Sequence, residues 1–226
     1  MTVRRILLVL GTRPEAVKLA PVYHALVRTE GLDPVLCVTS QHRELLHPVL
    51  EIFDLVPDHD LDVMRPNQSL DGLTARLIER LGRVLAEERP DAVVVQGDTT
   101  STFCGALAGF YHGVPIGHVE AGLRTGDLRS PFPEEMNRVL TTRLARWHFA
   151  PTSHNRDNLL GEGVPDDAIH VTGNPVIDAL RFVASRVREG NMGAEARALV
   201  ERFGGRPFIL ITGHRRESFG APFESL

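Results

Sequence analysis

Residues 116–138 read I-G-H-V-E-A-G-L-R-T-G-D-L-R-S-P-F-P-E-E-M-N-R. The stretch begins as a buried strand, breaks into a glycine-containing loop and ends at a helix start. Its first residues are apolar, as a strand covered on both faces requires. Glu120 follows directly, and a carboxylate at the end of such a strand must be paired or used. Pro131 and Pro133 precede a helix whose first turn holds Glu134 and Glu135, where the helix dipole favours acids. Arg124, Arg129 and Arg138 are interleaved with these acids and with Asp127. Strand, polar loop and helix in that order form the unit of an open parallel sheet.

The same unit recurs on both sides. Residues 6–10, 35–39, 92–95, 114–119, 147–150, 169–172 and 208–212 read as strands, and 58–64 as a possible short one. Between them fall helical segments at 16–27, 45–53, from a cap at Ser69 to about 88, 102–111, after Pro133 to about 146, from Ser153, at 176–187 and at 194–203. The fold class is therefore α/β, a parallel sheet with helices on both faces. Right-handed crossovers put every strand's C-terminal end on one edge, where ligands of such sheets bind. Each polar cluster follows a strand: G-T-R-P-E, S-Q-H-R-E, Q-G-D-T-T-S, V-E-A-G-L-R, A-P-T-S, T-G-N-P and T-G-H-R-R-E.

The strand at 208–212 starts after the break Gly204-Gly205-Arg206-Pro207, as a second domain would, yet the ~20 residues that remain cannot form one. The expected organisation is a domain over 1–188, a linker and helix over 189–207, and the first βα piece of a further domain over 208–226. The chain is thus expected to be part of a two-domain protein.

Composition narrows the function classes. The 226 residues are 42% hydrophobic and 24% charged, with net charge −4, so no basic field favours nucleic acid or an anionic membrane. No run reaches the ~18–20 apolar residues of a membrane span, and the N-terminus has no secretory pattern. A cytoplasmic protein is expected. The two cysteines, Cys37 and Cys104, read as buried thiols and have no metal-ligand spacing.

The strand-end clusters supply the candidate residues. Arg13 and Lys18 flank the first helix start, where free amides attract anions, although Arg13 could also pair with Glu15. Asp98 follows Gly97 and suits either a helix cap or a ligand contact. Glu120 is either a site carboxylate or a partner of Arg124. Glu134 and Glu135 are dipole-favoured, and one of them suffices for that role. His112 and His118 read as surface or core histidines. His214 leads Arg215 and Arg216 after the last strand, and the two arginines suit either a phosphate or a plain solvated loop. No dinucleotide fingerprint, P-loop or nucleophile elbow occurs.

Six of these segments together resemble the non-hydrolysing UDP-N-acetylglucosamine 2-epimerases: G-T-R-P-E-A-V-K (11–18), Q-G-D-T-T-S (96–101), H-V-E-A-G-L-R-T-G-D (118–127), P-F-P-E-E-M-N-R (131–138), T-G-N-P-V-I-D (172–178) and T-G-H-R-R-E-S-F-G (212–220). They occur in order along essentially the whole chain. The resemblance implies a Rossmann-like three-layer sheet within a GT-B-type architecture, with the second domain truncated. It implies interconversion of UDP-GlcNAc and UDP-ManNAc through loss of the C2 proton and of UDP, leaving a 2-acetamidoglucal. It implies no metal and no nicotinamide cofactor, a UDP-sugar as the binding partner, and a homodimer. It maps the catalytic acids onto Asp98, Glu120 and Glu134, and substrate contacts onto Arg13, Lys18 and His214. Because the second domain supplies most nucleotide contacts, the chain itself is expected to be inactive.

Two other readings are compatible with the residues alone. The N-terminal half of a GT-B glycosyltransferase would need one general base rather than three acids on successive loops. A binding or dimerisation module would need none.

Overall fold

The computed structural model describes residues 3–40, 43–191, 193–207 and 209. The elements alternate as the sequence predicts: β1 (Arg4–Leu10), α1 (Arg13–Val27), β2 (Leu32–Val38), α2 (Arg43–Ile52), β3 (His59–Asp60), α3 (Leu70–Glu88), β4 (Ala92–Gln96), α4 (Thr100–Tyr111), β5 (Ile116–Val119), α5 (Glu134–Leu144), β6 (Trp147–Ala150), α6 (Ser153–Gly161), β7 (Ile169–Val171), α7 (Val176–Arg188) and α8 (Ala194–Phe203). Of the strand expected at 208–212, every residue but Ile209 lies outside the described residues.

Seven parallel strands form one sheet in the order β3-β2-β1-β4-β5-β6-β7. The chain winds outward from β1 to β3, returns to place β4 against the other side of β1, and winds outward again to β7. This is a doubly wound, Rossmann-like sheet, and its switch point lies between β1 and β4.

Side chains of one strand alternate between two cores. Leu7 and Val9 of β1 join Leu73, Leu77, Leu81 and Leu85 of α3 and Cys104 and Ala108 of α4. Leu8 and Leu10 point the other way, onto Ala16, Leu19 and Ala20 of α1, Leu46 and Leu50 of α2 and Ala179 of α7. The β1 run is apolar throughout because helices cover both of its faces. Both cysteines are buried free thiols, pushed up to about 12 by burial, so packing accounts for them.

Two sequence expectations change in detail. The strand expected at 58–64 shrinks to His59–Asp60. Asp62 adopts φ 44°, in the left-handed region, and its amide bonds back to Asp60 Oδ1 at 3.1 Å, which ends the ladder. Helix α5 stops at Leu144 because Ala145 turns extended and the Arg146 amide joins the sheet at Ile116 O, 2.8 Å away.

The chain divides into two compact units, Met1–Val183 and Ala184–Leu226. The first contains the sheet and both cores. The second contains the end of α7 and all of α8, whose described residues are largely exposed. Among the described residues, no helix is long and apolar enough to cross a membrane.

Candidate active site

At the switch point the strand ends of β1 and β4 approach closely. Gly11, just past β1, faces the hydroxyls of Thr39 and Ser101, which bond each other at 2.8 Å. A Cβ at Gly11 would stand 2.2 Å from Ser101 Oγ and 2.4 Å from Thr39 Oγ1, so only glycine fits. The Gly11 amide donates to Glu15 Oε2 at 3.0 Å, and Thr99 Oγ1 donates to Glu15 Oε1 at 2.8 Å. Glu15 thereby ties the loop after β1 to the loop after β4. It is 1% exposed, and burial pushes its carboxyl up against the pull of these donors. The surface pair of Arg13 with Glu15 is therefore not formed. Arg13 is exposed at the first position of α1, and its side chain makes no ion pair among the described residues.

The loop after β4 runs Gly97-Asp98-Thr99. Thr99 caps α4, accepting from the Thr102 amide at 3.1 Å, so the cap falls one residue beyond Asp98. Asp98 instead meets Arg138 Nη1 at 3.0 Å, and its own carbonyl accepts from Asn137 Nδ2 at 2.9 Å. Burial is the main force raising the Asp98 carboxyl. Arg138 opposes it, while the neighbouring carboxylates Glu134 and Glu120 reinforce it. Beneath this loop, the buried imidazole of His118 donates from Nε2 to Gly97 O at 2.7 Å, and burial pushes it down to about 4. His118 is thus a neutral prop under the Gly97–Asp98 peptide, consistent with its reading as a core histidine.

Glu120 ends β5 with φ 64°, a left-handed conformation that costs a non-glycine residue about 1–2 kcal/mol. This turn sends the side chain back over the sheet edge. Oε2 accepts from Lys18 Nζ and Gln96 Nε2, each at 2.5 Å, and Oε1 accepts from Asn174 Nδ2 at 2.8 Å. Every described hydrogen-bond partner of the carboxylate is a donor, and the Asp98 carboxyl lies within electrostatic range. Arg124 is not its partner, because it is engaged with Glu162 at 2.5 and 3.0 Å and with Thr142 Oγ1 at 2.8 Å. Gly122 lets α6 close beneath the turn: a Cβ there would stand 2.3 Å from Asn155 O.

The two acids of the α5 first turn separate in role. Glu135 is buried, accepts from the Thr125 and Gly126 amides at 2.9 and 3.1 Å, and is gripped by Arg138 through Nε at 2.5 Å and through Nη2. Burial alone would raise its carboxyl, but these amides and Arg138 outweigh it and hold it below its ordinary value. Glu134 is half-buried and forms no hydrogen bond or ion pair among the described residues. Its charge reaches Asp98, as does that of the donor-held Glu120, so both carboxyls lie within electrostatic range of Asp98.

A family model described as UDP-N-acetylglucosamine 2-epimerase matches residues 24–226. The chain belongs to the UDP-N-acetylglucosamine 2-epimerase family. It is 54% identical to the UDP-N-acetylglucosamine 2-epimerase of Yersinia pestis, over 98% of this chain and 60% of that protein. The structure of UDP-GlcNAc 2-epimerase from Neisseria meningitidis bound to UDP-GlcNAc is 46% identical, with TM-score 0.85 over 96% of this chain and 58% of that one. The S. aureus MnaA–UDP structure gives 45% and 0.86, over 98% of this chain and 57% of that one. The chain therefore spans about 60% of the length of the curated relatives it matches.

Within this epimerase family member, four of the six residues singled out at strand ends can be followed to one neighbourhood. Lys18 and Glu120 touch, and Asp98 and Glu134 act on each other electrostatically. Arg13 stands at the start of the helix that carries Lys18. His214 lies outside the described residues. Sequence reasoning missed Glu15, Gln96, Asn174 and Arg138 as parts of the constellation. All but Arg138 sit directly in a strand-end cluster, so the strand-end rule pointed at them, but nothing in the sequence says that residues 120 and 174 meet. Among the described residues no group of three or more His, Cys, Asp or Glu is gathered to hold a metal.

Proposed function

We propose that the protein, extended to the length of its relatives, interconverts UDP-GlcNAc and UDP-ManNAc. The observation that carries this reading is the contrast between two neighbouring carboxyls. Glu120 is held by three donors, Lys18, Gln96 and Asn174, whereas burial, with like charge from Glu134 and Glu120, pushes the Asp98 carboxyl upward, which suits a proton donor. An inversion at C2 needs proton removal on one face and delivery on the other, and so more than one carboxyl group.

In this reading a carboxylate takes the C2 proton, the C2–H electron pair forms the C1=C2 bond, and the C1–O bond to UDP breaks with its pair leaving on the diphosphate oxygen. UDP then returns to C1 as a carboxylic acid protonates C2 on the opposite face. The sequence is redox-neutral and calls for no hydride carrier. Asp98, Glu120 and Glu134 are the catalytic acids. Arg13, Lys18 and His214 contact the substrate, with Arg13 and His214 meeting the negative charge that gathers on the departing UDP. The Neisseria relative bound to UDP-GlcNAc and the staphylococcal relative bound to UDP support the ligand class.

The finer points of the family resemblance belong to the same proposal. Residues 1–188 form the catalytic domain, 189–207 the linker and 208–226 the first piece of the UDP-binding domain. The protein acts as a cytoplasmic homodimer that supplies UDP-ManNAc for polysaccharide assembly. The test is NMR of UDP-GlcNAc in D2O with the full-length protein. Deuterium at C2 together with the manno epimer is the expected result, and exchange at another carbon, or none, overturns the reading. The 226-residue chain alone is expected to form no UDP-ManNAc.

A further inference from the structure

Thr172-Gly173-Asn174-Pro175 joins β7 to α7. Pro175 disfavours a helical conformation at the residue before it, so Asn174 stands just outside the helix with its side chain available to both sides of the turn. Its amide is used at both ends. Oδ1 accepts from the Val176 amide, the first of α7, at 3.0 Å. Nδ2 donates to Glu120 Oε1 at 2.8 Å, across 54 residues of sequence. The orientation of the amide is not arbitrary, because one partner only donates and the other only accepts. Glu120 Oε2 already holds Lys18 and Gln96, so Asn174 supplies the sole described contact to the second oxygen.

We propose that Asn174 is a positioning residue for Glu120, fixing the rotation of its carboxylate about the last side-chain bond while anchoring itself on the start of α7. A carboxylate held through one oxygen alone can swing about that bond. Held through both, it presents a defined lone pair to the crevice at the strand ends. This inference rests on the proposed role of Glu120 and adds to it a residue that acts through Glu120. The groups facing Glu120 are Lys18 from α1, Gln96 from β4, Asn174 itself, and, at electrostatic range, Asp98 from the loop after β4.

The decisive variant is Asn174→Asp in the full-length protein. It keeps the shape and the acceptor for Val176, but turns the donor toward Glu120 into a second carboxylate oxygen. The expected result is a fall in kcat on the order of 10²-fold with KM for UDP-GlcNAc unchanged. The acidic limb of the kcat/KM profile moves to higher pH, because a neighbouring negative charge disfavours ionised Glu120. Asn174→Ser keeps an acceptor for α7, removes the donor and adds no charge. It should lower kcat with a smaller movement of that limb, and it decides the matter if the aspartate variant does not fold. Wild-type kcat and an unmoved acidic limb in the folded variant overturn the proposal, since a merely structural residue would leave both in place.

A full-length wild type without epimerase activity would instead sink the proposed function. In that event ¹³C carboxyl titration of Glu120 in the 226-residue chain still tests Asn174. A titration moved upward in Asn174→Asp supports the contact, and identical titrations overturn it.

Discussion

Glu15 shows how much one buried carboxyl can organise. Thr102 Oγ1 lies 2.6 Å from Gln96 O and 3.0 Å from Glu15 Oε1, yet a hydroxyl has one proton to give. If that proton goes to the carbonyl, the Glu15 contact is satisfied best with a proton on the carboxyl, the form that burial already favours. A folded-state value raised above the unfolded one contributes stability at low pH that is lost as pH rises through it. Glu15→Gln should therefore melt above wild type at pH 8, with the gap closing toward pH 4, and thermal melts of the 226-residue chain will show it. A gap independent of pH would mean that Glu15 is buried as an anion. The acids at the sheet edge behave differently. Asp98→Asn, Glu120→Gln and Glu134→Gln should each leave the fold intact and lower kcat of the full-length protein by roughly 10²–10⁴-fold, the range expected for a lost general acid or base.

At the scale of elements, α5 does its work through its first two turns. Arg138, 8% exposed, spans Glu135 on one side and Asp98 on the other, and Glu135 in turn holds the amides of Thr125 and Gly126 in the loop after β5. Arg138→Met would leave two acids without their counter-charge, one of them fully buried. It should destabilise the chain by about 3–5 kcal/mol, readable from urea midpoints. The elements themselves were legible in the sequence because each is declared locally. Ser69 caps α3 through Gly72 as its hydroxyl and position predict, and Leu73, Leu77, Leu81 and Leu85 of α3 are buried together. The sequence leaves Asp98 open as a cap of α4 or a ligand contact; Thr99 takes the cap, and Asp98 is held instead by Arg138, 40 residues away in the sequence. The same limit applies to the candidate site. The strand-end rule found Asp98 and Glu120, but the pairing of Glu120 with Lys18 across 102 residues and with Asn174 across 54 depends on strand order, which local patterns do not encode.

For the whole molecule, acid is the condition to watch. His118 and His148 face each other on adjacent strands β5 and β6, both are buried, and burial pushes each down to about 4. Their depressed values contribute stability that is present above the unfolded value of about 6.5 and lost as pH falls toward 4, about 3 kcal/mol for each imidazole. Urea unfolding of the 226-residue chain between pH 7 and pH 4 should show a falling midpoint with proton uptake on unfolding, and a flat midpoint would count against it. Strand order has one more consequence. Among the described residues the outermost strands, β3 and β7, are two and three residues long; β3 pairs only with Cys37 and Val38 of β2, whereas β1 has β2 on one side and β4 on the other. A stray strand from another chain would find too short a row of unpaired amides and carbonyls to dock on at β7. The winding that gathers the carboxyls at one end of the sheet thus also blunts its β7 margin against fibril-like association.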